Sequence, residues 1–174
     1  MEMKNIVMIA GALAATALAG TAANAAPVTA TTQATATARI VQPLTLTSVR
    51  DLDLGTIVLS GTAPYTNTIG ITQGGVFSCG ADVTCSGTTQ TAQYSATGTQ
   101  GQTLSVNVSS TIALVNQTQT SPDLTLTVDA PAAGSVVLDS AGTVTFDLGG
   151  SIDVADDTAD GVYQGTFDVS ADYQ

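Results

Sequence analysis

The sequence predicts an all-β protein, an antiparallel β-sandwich, and three observations carry that prediction. Apolar residues recur at every second position in short runs, and hardly anywhere at the three-and-four spacing of an amphipathic helix. Thr, Val and Ser fill those runs, which suits a pleated, half-buried surface. Clusters of Gly, Pro or Asp interrupt them about every ten residues, as the turns of a sandwich do.

In chain order the expected strands are 44–49, 52–60 and 68–73, the third closed by Gly74-Gly75. Then come 91–97, ended by the turn from Gly98 to Gly101, and 103–115. Pro122-Asp123 introduces 124–128, and Asp139 to Gly142 separates 135–138 from 143–148. Gly149-Gly150 reads as a turn before 151–154, and Asp160-Gly161 opens the last strand, 162–173.

The first residues read differently. Lys4 starts a short positive region, 6–19 is rich in Ala, Leu and Ile, and Ala23-Asn24-Ala25 supplies small residues for a signal peptidase. The expected organisation is a signal peptide over 1–25, an extended arm over 26–41 and a β-sandwich over 42–174. No later run is long and apolar enough to cross a bilayer. The expectation is export through the inner membrane to the periplasm, then the cell surface or medium, with no direct membrane insertion.

Cleavage after Ala25 removes Glu2 and Lys4 together, so the net charge of -11 persists. All remaining acids are Asp, and the remaining cations are Arg39 and Arg50. Such a surface repels nucleic acid and anionic membranes. The mature sequence also lacks His, Lys, Glu and Trp. The common general base, the amine nucleophile and a sugar-stacking indole are therefore missing. The expected protein is not an enzyme; it has no catalytic residues, no metal and no cofactor.

Cys79 and Cys85 stand with five residues between them, and in an exported protein such a pair forms a disulfide, expected here to pin a hairpin tip. Without His or further Cys they cannot complete a tetrahedral zinc shell. Around Ser151 to Gly161, Asp156, Asp160 and Gly161 match the first, fifth and sixth positions of an EF-hand loop. Thr158 and Phe167 occupy two other ligand positions, so a solvated turn explains the segment better. The glycosylation tripeptides at Asn107 and Asn116 carry no weight beside a bacterial-type signal.

Both ends of the mature chain alternate. In the arm Val28, Ala30, Thr32, Ala34, Ala36, Ala38 and Ile40 share one face, with no Gly between them. At the other end Tyr163, Gly165, Phe167, Val169, Ala171 and Tyr173 share one face, and Gln164, Thr166, Asp168, Ser170, Asp172 and Gln174 the other. The arm reads as a low-complexity linker, a strand of its own domain, or a strand that completes a neighbouring subunit's sheet.

The last fourteen residues resemble the terminal motif of chaperone–usher pilins, fimbrial subunits in which a Gly precedes alternating hydrophobics and a penultimate aromatic. Here those positions are Gly161, then Tyr163, Phe167, Val169 and Ala171, then Tyr173. The resemblance implies an immunoglobulin-like, pilin-like sandwich completed by strand addition. It assigns the C-terminal strand to a periplasmic chaperone, export to an outer-membrane usher, and Val28 through Ile40 to a donor face for the next subunit. A second resemblance rests on Pro43-Leu44, Leu52-Asp53-Leu54-Gly55 and Gly161-x-Tyr163-x-Gly165-x-Phe167-x-Val169. These are similar to an uncharacterised family of small secreted Gram-negative proteins, a domain of unknown function. The chain departs from the pilin pattern in its local cysteine pair and in an arm of mostly Ala and Thr without Gly.

The function expected is thus a structural subunit of a bacterial surface filament, pairing with itself or related subunits by donor-strand complementation. The alternative is a self-contained secreted β-sandwich acting as a surface or carbohydrate-binding protein, with Tyr65, Tyr94 or Tyr163 against sugar.

Overall fold

The computed structural model describes residues 28–29 and 32–174, and these hold strands but no helix. In order the strands are β1 (Thr45–Arg50), β2 (Thr56–Leu59), β3 (Thr66–Ile71), β4 (Phe77–Ser78), β5 (Val83–Ser86), β6 (Ala92–Thr97) and β7 (Thr103–Val108). There follow β8 (Thr111–Asn116), β9 (Leu124–Asp129), β10 (Val136–Val137), β11 (Thr143–Ala155), β12 (Tyr163–Gln164) and β13 (Val169–Tyr173). Every pairing is antiparallel, as the half-wet alternation requires. The expected signal peptide and Ala30 of the arm face lie outside the described residues. Within Met1–Ala38 the described residues are exposed and carry no strand.

Inside the unit Arg39–Gln174 the largest sheet runs β1-β6-β11-β9-β8-β12, with β3 on β11 and β4 on β3. Smaller sheets β10-β7-β13 and β2-β5 lie apart from it. Two apolar cores result. Ala92, Ala96, Leu104, Val136, Leu138, Phe146 and Leu148 form one, drawn from β6, β11 and the β10-β7 side. Ile69, Val83, Leu126, Ile152 and Val154 form the other, drawn from β3, β9, the far half of β11 and the β2-β5 side.

Three departures from the expected elements have physical causes. Gly149-Gly150 is not a turn: β11 runs through it without a break. Leu148 still pairs with Ala92, and from Gly149 the partners become β9 and β3. A Cβ on Gly149 would sit 2.3 Å from the Ile71 carbonyl oxygen, and one on Gly150 2.9 Å from Leu126 Cδ1. The glycines therefore serve close backbone approach where a strand changes partners, the other use of Gly in a strand.

The run 103–115 divides at Ser109-Ser110 into β7 and β8, which belong to different sheets. The last strand follows both halves. Tyr163 pairs with Asn116 on β8, and then Val169 through Tyr173 pair with Val108 through Leu104 on β7. Its ladder lapses over 165–168, where a Cβ on Gly165 would meet the Ala113 carbonyl oxygen at 2.5 Å.

The third departure is the cysteine segment, which holds β4 and β5. The two do not pair: β4 joins β3, and β5 joins β2. The Cys79–Cys85 disulfide, with a Cα–Cα distance of 6.1 Å, therefore ties the β2-β5 ribbon to the edge of the large sheet instead of pinning a hairpin tip.

Candidate functional site

The last strand presents its two faces as its alternation dictates. Gln164, Thr166, Asp168, Ser170, Asp172 and Gln174 are exposed, while Tyr163, Phe167, Val169, Ala171 and Tyr173 are only half-buried. An apolar face that stays half-exposed marks an edge lacking cover on one side. Gly161 prepares that edge. Its φ is +146°, and a Cβ there would lie 2.3 Å from Asn116 Oδ1. Buried Asn116 donates from Nδ2 to the Asp160 carbonyl at 3.0 Å and accepts from the Thr118 and Gln119 amides at 2.8 and 3.2 Å. Only glycine fits this junction.

Beside the edge runs an open groove of about 1780 Å³. Residues 50–59 form one wall and 158–167 the other. Its floor is apolar: Ile112, Leu114 and Leu124 are half-buried, and Leu126, Ile152 and Val154 are buried beneath. Leu52, Leu54 and Ile57 point in from the first wall and pack on the second core. No ladder joins the two walls; β2 is spent on β5, and β12 on β8. Leu52 of the first wall and Phe167 of the second both pack against the first core beside Tyr94, so they mark one end of the groove. At the other end Gly61, just past Leu59, lies against the Tyr65 ring, and the Tyr65 backbone bonds Asp156, just before Asp160; one wall therefore runs up to Leu59 and the other back to Asp160, so the walls are antiparallel.

The rim is acidic, with Asp51, Asp53 and Asp160. Arg50 stands at the Asp51 end, with Nε on the Thr91 carbonyl at 2.8 Å and Nη2 on Thr91 Oγ1 at 2.8 Å and Asp147 Oδ1 at 3.2 Å. Tyr94 lies there too, stacked on Phe146 at 5.8 Å. Burial raises its phenol pKa above the usual 10.0; the Ser48 hydrogen bond opposes this, and the Asp51 and Asp168 carboxylates add to it.

A family pattern defined as a domain of unknown function, DUF4402, matches residues 44–173. The chain belongs to the DUF4402 family. The matched DUF4402 region takes in every strand and both groove walls. Comparison with curated proteins and with solved structures returns no match.

Of the residues singled out by sequence, Gly161, Tyr163 and Phe167 of the DUF4402 domain line the groove. Val169, Ala171 and Tyr173 continue along β7. Val28, Thr32, Ala34, Ala36, Ala38 and Ile40 are exposed. Tyr65 packs on the second core, Tyr94 is stacked, and Tyr163 Oη donates to the Ala159 carbonyl at 2.9 Å. The Asp-rich loop is tied to neighbouring segments: Asp156 Oδ1 accepts from the Tyr65 amide, and the Asp160 carboxylate from Gln119 Nε2. No cluster of three metal-ligating side chains occurs among the described residues.

Sequence reasoning missed the floor, Ile112, Leu114, Leu126 and Ile152, although each stands on the apolar face of an alternating run. It also missed the partner of Tyr173. That hydroxyl accepts from the Thr99 amide and donates to the Gln42 carbonyl, both at 2.8 Å, while the Gln42 amide donates to Thr99 Oγ1 at 2.6 Å. The penultimate aromatic thereby pins the start of the sandwich to the β6–β7 turn.

Proposed function

We propose that the groove accepts an extended β-strand and that the chain is an exported, non-enzymatic structural subunit. Copies assemble into a surface filament when the arm of one fills the groove of the next. The observation that carries this reading is the groove, which has an apolar floor between two antiparallel walls with no ladder between them. A pairing edge beside an uncovered core is what strand addition needs. The volume exceeds the 300–1,000 Å³ or so of small-molecule pockets. The arm offers a matching element: unbroken alternation over 27–41, with no acid to oppose an acidic rim.

A periplasmic chaperone that covers the same edge before assembly follows from this reading, because a half-exposed apolar strand aggregates if left bare. The alternative, a self-contained surface or carbohydrate-binding sandwich, leaves the groove open and gives the half-buried tyrosines to sugar.

The test compares residues 26–174 in native order with a chain in which 26–41 follow Gln174 through a flexible linker. Strand complementation expects the rearranged chain to be a stable monomer and the native order to form oligomers. A native-order chain that is monomeric and equally resistant to urea would exclude it.

A further inference from the structure

The chain has two arginines, Arg39 and Arg50, and the fold places them in opposite situations. We propose that the Arg39–Ile40 bond is a processing site, at which an arginine-specific protease separates the arm from an intact sandwich. Where the arm already fills a neighbour's groove the bond is shielded, so unassembled subunits are the ones cut. The shielding rests on the strand-accepting reading above; the site does not.

Proteolytic nicking concentrates where the backbone is exposed and unpaired. From Gln33 to Val41 every residue is exposed and none lies in a strand. Ile40 is 91 % exposed, and the compact unit begins at Arg39 itself. No acid stands between Pro27 and Val49, and the residue after Arg39 is not a proline, so neither charge nor ring opposes cleavage.

Arg50 is the reverse case. Its backbone pairs with Gln93 on β6, and its guanidinium is engaged by the Thr91 carbonyl, Thr91 Oγ1 and Asp147. Asp51 and Asp53 follow it and set carboxylates against a protease. Cutting there requires β1 to leave the sheet, and such cleavage tracks the small open population. At Arg39, water adds its hydroxyl to the arginine carbonyl carbon and its proton to the Ile40 nitrogen as the bond between them breaks. Ile40 and Val41 then precede Gln42, whose bonds to Thr99 and Tyr173 lie beyond the cut and survive it. The trimmed subunit keeps its groove but has no arm to give, so it accepts a neighbour and ends a filament.

Trypsin on the monomeric fraction of the purified, disulfide-bonded chain tests the site, read by mass spectrometry and urea titration. The expected result is one early cut, after Arg39, with cleavage after Arg50 slower by about a hundredfold or more. The fragment Ile40–Gln174 should keep the urea midpoint of the intact chain, and Arg39→Gln should abolish the early cut. An Arg39 bond that resists, an Arg50 bond cut as fast, or a fragment that unfolds at lower urea overturns the proposal. Assembled chains should be cut several-fold more slowly, and trimmed chain mixed with intact chain should shorten the oligomers. Oligomers cut as fast as the monomer, or a chain that never assembles, sink the strand reading and the shielding with it, and leave the site standing. Oligomers whose length ignores added trimmed chain overturn its role as a filament end.

Discussion

Replacing Tyr173 by Phe isolates what the penultimate hydroxyl does for the chain's own fold. It makes two hydrogen bonds of 2.8 Å, to the Thr99 amide and the Gln42 carbonyl. A hydrogen bond contributes a net 0.5–1.5 kcal/mol or so. The Gln42 end is exposed and regains water when the hydroxyl goes, so the loss should be about 1–2 kcal/mol. The ring stays, packed on the first core. With a urea m-value of about 2 kcal/mol per molar, the midpoint should fall by about 0.5–1 M. Tyr173→Ser also removes a half-buried ring; a fully buried aromatic costs about 3–5 kcal/mol, so its total should reach about 3–4 kcal/mol. Urea titration of the purified, disulfide-bonded chain by far-UV circular dichroism measures both. The expected order of midpoints is wild type, then Phe, then Ser. A Phe midpoint equal to wild type would refute the pin. The pair also separates fold from recognition in the periplasm. If accumulation tracks stability, the fold accounts for it; an additional loss with Ser belongs to a partner that reads the ring.

Gly161→Ala places a Cβ against Asn116 at φ +146° and should cost about 1–3 kcal/mol or more, whereas Gly74→Ala, whose nearest contact is 3.7 Å, should be almost neutral by the same titration. Removing both Cys79 and Cys85 should cost about 2 kcal/mol by loop-closure entropy, and amide exchange should quicken first in β2 and β5, which the bridge ties down. Tyr94 has a raised pKa, from burial and then the nearby carboxylates, so its contribution is full below pH 10.0 and is lost as pH rises through the folded value. Tyr94→Phe should flatten that alkaline loss. Asp139 is the opposite case: the Thr143 amide, followed by other turn donors, lowers its pKa below 3.8. Its contribution is present above 3.8 and disappears as pH falls through the folded value, so Asp139→Asn should weaken the acid limb of the stability profile.

Period two is a local property, which is why the last strand could be read residue by residue: all six residues of its wet face are exposed. Partnership is not local. Gly149-Gly150 has the composition of a turn, yet its purpose is set by Ile71 and Leu126, far away in sequence. The groove draws its walls from 50–59 and 158–167 and its floor from β8, β9 and β11, so no single stretch announces it. Strand β4, with two residues, is too short to show any alternation, and without it a local cysteine pair does not read as a tie between sheets. Tyr173 stood out as penultimate, but Thr99 and Gln42 carry no pattern that names them as its partners.

The pin at Gln42 bears on force. Tension applied to the N-terminal segment enters the sandwich at Gln42 and passes along β1, whose ladder with β6 lies across that direction. Such a load shears the β1–β6 bonds together instead of opening them one after another from an end. Part of it crosses through Tyr173 to β13, which is laced to β7 over its full length. The domain is thereby built to bear a pull lengthwise, and one phenolic hydroxyl divides the load between its two largest sheets.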